Sequence, residues 1–351
     1  MIIKLQADAF LKQSLLLPVL DVRSPSEFIQ GHIPGAFSLP LFTDEERAKV
    51  GIRYKNSGRD FAVKLGLQIV GPKLSWYSGE AQRLAPARKV LVHCWRGGMR
   101  SESIAWLLQM SGFEVKLLDG GYKAYRRYIR EQLGLPAKLI VLGGLTGSGK
   151  SAVLKQLAIF GQQVLDLETL AHHKGSVFGG LGQPAQPTTE QFENNIYPVW
   201  EAFDHSKTIW VEDESRAIGS VYIPEILFQS MLKSPIAEME VPLKIRVERL
   251  VKEYAGMPLE GLTDAIMRIK DSLGGPATRE ALEALGNGEF QTVARLSLTH
   301  YDRFYSKSLK RRNAGVAFPL PVTVDDPVIT ATALIQLDEG NQSIKIGAKG
   351  E

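Results

Sequence analysis

Lys138-Leu139-Ile140-Val141-Leu142-Gly143-Gly144-Leu145-Thr146-Gly147-Ser148-Gly149-Lys150-Ser151 is an apolar strand that breaks into a glycine-rich loop, and Ala152-Val153-Leu154-Lys155-Gln156-Leu157 continues it as a helix. The segment 144–151 fits G-x-x-x-x-G-K-[ST] with a strand before it and a helix after it, the context in which this motif holds phosphate. Gly144, Gly147 and Gly149, with Thr146 and Ser148 between them, let successive N–H groups wrap phosphate oxygens. Lys150 neutralises their charge, and Ser151 can ligate Mg²⁺. Further on, Thr208-Ile209-Trp210-Val211 reads as a buried strand ending in Glu212-Asp213-Glu214. Glu212 and Asp213 stand where an acid would support a metal or act as a base, although a solvated strand end fits as well. No metal site is certain from the sequence.

Moving outward, Gly134-Leu135-Pro136 marks a boundary before this unit, and a second α/β pattern lies ahead of it. Residues 18–22, 89–93 and 114–118 read as strands, 101–110 as a helix with Ser101 as its cap, and 122–133 as a basic helix. Strands alternating with helices predict mostly parallel sheets covered on both faces. The expected architecture is therefore α/β: an amino-terminal domain over 1–135, a P-loop NTPase-like domain with a helical remainder over 136–338, and a flexible tail over 339–351. Segment 174–189 is rich in Gly, Pro and Gln, and most of the chain from there to about residue 315 reads as helix.

Composition narrows the class without naming a function. A 44% hydrophobic and 23% charged chain of 351 residues is globular and long enough for two cores. No apolar run approaches the ~18 residues of a membrane span, and the first residues lack a signal-peptide pattern, so a cytoplasmic protein without a membrane partner is expected. The single cysteine excludes an internal disulfide and argues against a thiolate zinc site. A net charge of +4 suits an anionic partner.

That cysteine sits in His93-Cys94-Trp95-Arg96-Gly97-Gly98-Met99-Arg100-Ser101. A strand delivers Cys94, two glycines let the backbone curl, and a helix leaves the loop. Inward N–H groups and a helix N-terminus favour a thiolate, and Arg96 and Arg100 could hold an oxyanion beside the sulfur. His93 is expected to pack rather than react. Asp21-Val22-Arg23-Ser24-Pro25-Ser26-Glu27-Phe28, Gly31-His32-Ile33-Pro34-Gly35-Ala36 and Leu118-Asp119-Gly120-Gly121 make this unit resemble the rhodanese family, which carries sulfur or selenium on its loop cysteine. By position that residue is Cys94. His-Cys-x5-Arg is also the signature of cysteine phosphatases, so a rhodanese-fold phosphatase fused to a P-loop kinase-like domain stands as the alternative.

A rhodanese-like unit followed directly by a P-loop unit resembles the bacterial tRNA 2-selenouridine synthases. Gly51-Ile52-Arg53-Tyr54-Lys55-Asn56-Ser57-Gly58, His173-Lys174-Gly175-Ser176-Val177-Phe178-Gly179 and Trp210-Val211-Glu212-Asp213-Glu214-Ser215 extend the likeness over nearly the whole chain. The resemblance implies replacement of the sulfur of wobble 2-thiouridine in tRNA by selenium from selenophosphate, through an S-geranylated intermediate made from geranyl diphosphate. On that reading 144–151 binds the diphosphate, Mg²⁺ could assist, no tightly bound cofactor is needed, and Cys94 delivers selenium. Two basic stretches could meet the tRNA. One carries Lys123, Arg126 and Arg127 among Tyr122, Tyr125 and Tyr128. The other carries Arg303, Arg311 and Arg312. A solvated helix face with the tyrosines turned inward explains either stretch equally well.

Overall fold

The computed structural model describes the backbone of residues 2–309 and 316–347, and the side chains of residues 2–303 and 318–340. The chain divides into two compact units, Met1–Leu133 and Gly134–Glu351.

The strands in chain order are Ile3–Leu5 (β1), Val19–Asp21 (β2), Phe37–Ser38 (β3), Lys89–His93 (β4) and Glu114–Leu118 (β5) in the first unit. The second unit has Lys138–Gly144 (β6), Gln163–Leu165 (β7), Thr208–Glu212 (β8), Ala217–Ile218 (β9), Val221–Tyr222 (β10), Ile236–Glu240 (β11) and Val316–Pro321 (β12). The first sheet runs β1-β5-β4-β2-β3 and the second β12-β11-β6-β8-β7, with β9 and β10 a separate antiparallel pair. All pairings within the two large sheets are parallel. The central strands are buried on both faces, as parallel sheets clothed by helices require: Val90, Leu91 and Val92 in β4, and Ile140, Val141 and Leu142 in β6.

Each candidate loop leaves the carboxyl end of its sheet's middle strand, Cys94 after β4 and the phosphate loop after β6. Ligands of open parallel sheets bind at strand carboxyl ends.

Three expectations are corrected. The helix after the cysteine spans Met99–Met110 with Gly98 at its cap, so Ser101 lies in its first turn. The stretch expected to be helical contains β11, and β12 follows, because two short strands hidden between helices find their pairing edges only in three dimensions, β11 on β6 and β12 on β11. Finally, a helix runs through Pro327–Gly347, across the start of the expected tail; residues 348–351 lie outside the described residues.

Candidate active sites

The cysteine loop is braced by backbone. Tyr122 N–H donates to the Cys94 carbonyl at 2.8 Å and Lys123 N–H to that of Trp95 at 3.0 Å, so the turn after β5 lies directly on the loop. A side chain at Gly97 (φ +68°) would put its Cβ 2.8 Å from the Leu118 carbonyl, and one at Gly121 (φ +61°) would collide with the Cys94 carbonyl and Gly97 N. Both positions also need left-handed backbone, so glycine is required twice over. Cys94 itself is 3% exposed. Its Sγ lies 3.1 Å from Ser101 Oγ, which in turn donates to the Gly98 carbonyl at 3.0 Å.

The two arginines of the loop differ. Arg96 is exposed and forms no ion pair among the described residues. Arg100 donates to Glu27 at 2.7 Å, and Arg47 reaches the same carboxylate at 3.0 Å. Burial pushes the Glu27 carboxyl up, but Arg100, the Ser24 amide and Arg47 outweigh it and hold the group below its ordinary range. Arg100, the second cation expected to hold an oxyanion, ties the loop to the Ser24–Glu27 helix start. Beneath lies a buried pair in which Arg23 Nε and Nη2 donate to Asp21, Nη2 at 2.6 Å. Arg23 also donates to the Gly31 carbonyl and stacks 3.7 Å from the Tyr122 ring centroid. Burial raises the Asp21 carboxyl, while His93 and Arg23 lower it to a net depression. Because burial also disfavours the imidazolium of His93, Arg23 supplies the neutralising charge near pH 7. His93 is fully buried, as expected of a packing residue.

The phosphate loop is braced by side chains. Arg246, 3% exposed, forms a bidentate pair with Asp302 at 2.8 Å on both arms and donates to the Thr146 carbonyl at 3.3 Å. Arg249 bonds the Ser148 carbonyl and pairs with Asp325. Lys150 Nζ donates to the Gly144 carbonyl at 2.8 Å, and Ser151 Oγ to Glu168 Oε2 at 2.6 Å. Gly144, Thr146, Gly147, Ser148, Gly149, Lys150 and Ser151 all line one cavity of about 360 Å³, together with Asp213, Glu214, Arg249 and Tyr301.

The neighbouring acids Glu212 and Asp213 diverge, as successive residues at a strand end do. Asp213 faces the cavity. Glu212 is buried and accepts from the Glu168 N–H at 2.6 Å, with its carboxyl pushed well up by burial. It holds the Glu168 amide and does not line the cavity. Glu214 is also pushed up, to about 8, by burial and then by the neighbouring Glu168. Hard oxygen donors at Ser151, Glu168, Asp213 and Glu214 suit Mg²⁺ chemically. No cluster of three or more acidic or histidine ligands able to hold a metal exists among the described residues, so any such ion would need oxygens from a bound phosphate.

With this geometry in view, residues 137–285 match the family model described as the tRNA 2-selenouridine synthase AAA domain, and residues 5–128 match the rhodanese-like domain. A tRNA 2-selenouridine synthase of Bdellovibrio bacteriovorus is 35% identical over 355 residues, covering 86% of this chain and 91% of the relative. One from a Sulfurovum species is 33% identical over 336 residues, with 86% and 91% covered. One from Salmonella schwarzengrund is 41% identical over 244 residues, with 68% and 66% covered. The chain belongs to the tRNA 2-selenouridine synthase family.

In this synthase-family chain the basic stretches fare unevenly. Lys123 and Arg127 are exposed on the helix Gly121–Gln132, whereas Arg126 is 7% exposed and Tyr122 and Tyr125 are fully buried. Tyr122, Tyr125, Arg126 and Ile129 share the inward face, which removes Arg126 and both tyrosines from any RNA-facing surface. Arg303 is exposed; Arg311 and Arg312 lie outside the described residues. Sequence reasoning missed Glu168, Arg246 and Arg249, which arrive from elements remote from the motif. The only local signal was an acid just beyond β7. Among the described residues no helix is long and apolar enough to cross a membrane.

Proposed function

We propose that this protein modifies the wobble position of tRNA in two steps, geranylating the sulfur of 2-thiouridine and then replacing it with selenium. The observation that carries this reading is the pair of complete and different cradles, one around a lone shielded cysteine and one around a phosphate-sized cavity, in a chain of the selenouridine synthase family. A thiocarbonyl sulfur is a poor leaving group until alkylated, so geranylation prepares its displacement. The loop 144–151 and Lys150 bind the diphosphate of geranyl diphosphate and neutralise the charge that grows on it as the allylic C–O bond breaks. Ser151, Asp213 and Glu214 would hold Mg²⁺ against the same oxygens, where the ion would supply further neutralisation. The Cys94 thiolate attacks the selenium of selenophosphate, so that the S–Se bond forms as the Se–P bond breaks and phosphite leaves with its electron pair, with Arg96, which is in no ion pair among the described residues, beside the sulfur. The terminal selenium then attacks C2 of the alkylated base, from which the geranyl thiolate leaves, and two small-molecule thiols reduce the S–Se bond, freeing 2-selenouridine and Cys94 and departing as a disulfide. Exposed Lys123, Arg127 and Arg303 are the described candidates for tRNA phosphates.

The phosphatase alternative needs a general acid near the cysteine. The carboxylates that β2 and the following helix bring to this region are Asp21 and Glu27, and both are held by arginines. This favours transfer over hydrolysis. Mass spectrometry of tRNA nucleosides after incubation with geranyl diphosphate and selenophosphate tests the proposal. S-geranyl-2-thiouridine followed by 2-selenouridine is expected. Selenation with no geranylated species at any time, or coupled ATP hydrolysis, would overturn it.

A further inference from the structure

The first unit holds a second feature that selenium carriage does not use. The helices Asp44–Ser57 and Arg59–Val70 form a hairpin on the sheet, yet the first has no buried residue and the second buries only Ala62. Between them, the core edge at Leu41 and Phe42, and the helix that leaves the cysteine loop lies an apolar cavity of about 630 Å³. That volume is in the range of small-ligand sites, about 300–1,000 Å³. Val50, Ile52, Val63, Leu67 and Met99 line it, with Ile52 61% and Leu67 68% exposed. Leaving such side chains wet is unfavourable by roughly 25 cal/mol per Å² of apolar surface, so the groove is built to be covered.

Its surroundings say by what. From Arg47 to Lys64 the hairpin presents the cations Arg47, Lys49, Arg53, Lys55, Arg59 and Lys64, all exposed, against the single acid Asp60. The groove continues to the cysteine loop: Met99, Arg100 and Ser103 form its wall, and Arg59 Nη2 reaches Met99 Sδ at 3.7 Å. An apolar slot whose lining includes Arg47, Lys55 and Arg100, and whose wall is the helix that leaves the cysteine loop, fits a hydrocarbon chain attached to a polyanion. The segment 51–58, singled out in the sequence without a role in the chemistry, supplies Gly51, Ile52, Tyr54 and Lys55 to this lining.

We infer that this groove binds the isoprenoid chain of the S-prenylated nucleotide while its base is presented to Cys94. The inference rests on the proposed geranylated intermediate and adds where the first unit recognises it. Recognition of the chain would let this unit distinguish alkylated RNA from RNA that has not yet been activated. An anionic membrane is the competing occupant, and the concave shape and continuity with the cysteine loop favour the RNA-borne chain.

The test uses the full-length protein without selenophosphate, so nothing turns over. Its probes are two anticodon stem-loop RNAs that differ only in S-geranyl against S-methyl 2-thiouridine. The wild type is expected to bind the geranyl RNA at least about tenfold more tightly. Leu67→Asp, a change at an exposed position, and Ala48→Trp, which fills the slot, should bring that preference below about threefold and leave S-methyl RNA binding unchanged. Equal affinity for the two RNAs in the wild type, or a preference unaltered in both variants, would overturn the inference. So would binding to phosphatidylserine vesicles that Leu67→Asp abolishes while RNA preference persists. Because both RNAs are synthesised beforehand, failure of the protein to make the geranyl product from geranyl diphosphate would remove the two-step reading without affecting this result.

Discussion

The cysteine loop and the phosphate loop both follow the middle strand of a five-stranded parallel sheet, yet they are held in opposite ways. The turn after β5 lies on the cysteine loop through backbone bonds and two glycines, and Arg23 and Arg100 beside it are paired with Asp21 and Glu27, while Arg96 is in no ion pair among the described residues. Two arginines from one helix, Leu243–Tyr254, grip the phosphate loop through their side chains, and acids crowd its cavity. A sulfur atom needs a small, fixed nest that shields it from water. A diphosphate needs a wider site whose charge balance changes when the ligand arrives. The difference suggests that the first loop is rigid by construction and the second responds to its ligand.

Breaking that contrast should have graded effects. Cys94→Ser should abolish selenium incorporation and leave geranyl transfer intact, as nucleoside mass spectrometry would report; loss of both activities would contradict separate roles. Arg23→Leu should destabilise the first unit by about 3–5 kcal/mol, because it leaves the buried Asp21 carboxylate unpaired. Denaturant unfolding would measure this, and Asp21→Asn combined with it should recover part of the loss. Lys150→Ala should slow geranylation by about 10²–10³-fold, the scale for losing one preorganised charge, with folding unchanged by circular dichroism.

The smallest effect concerns Glu214. Its folded value of about 8 exceeds the ordinary 4.5, so between these values the folded state holds a proton that the unfolded state has released. Stability of the second unit should therefore fall as pH rises through that window. Glu214→Gln should flatten the slope in thermal unfolding, and an unchanged slope would reassign the proton.

Both loops were legible in the sequence because each is a local device in which a strand, its glycines and a helix start follow one another. The inward turn of Tyr122 and Tyr125 on the helix Gly121–Gln132 was one of the two readings the sequence offered; that Arg126 joins them was hidden by counting it among the cations, although 122, 125, 126 and 129 fall at helical spacing. What braces the loops was not. Arg23, Glu27, Arg246 and Arg249 look like ordinary surface charges until the fold brings Asp21, Arg100, Asp302 and Asp325 to them. β11 and β12 were missed for the same reason: five or six residues become strands only because β6 and β11 offer them edges to pair with.

The central claim, that each loop runs its own reaction, is tested most directly by giving Lys150→Ala tRNA that already carries S-geranyl-2-thiouridine, together with selenophosphate. Bypassing the damaged step should restore 2-selenouridine formation to the wild-type rate. A variant that stays inactive on the pre-geranylated tRNA would contradict the division of labour.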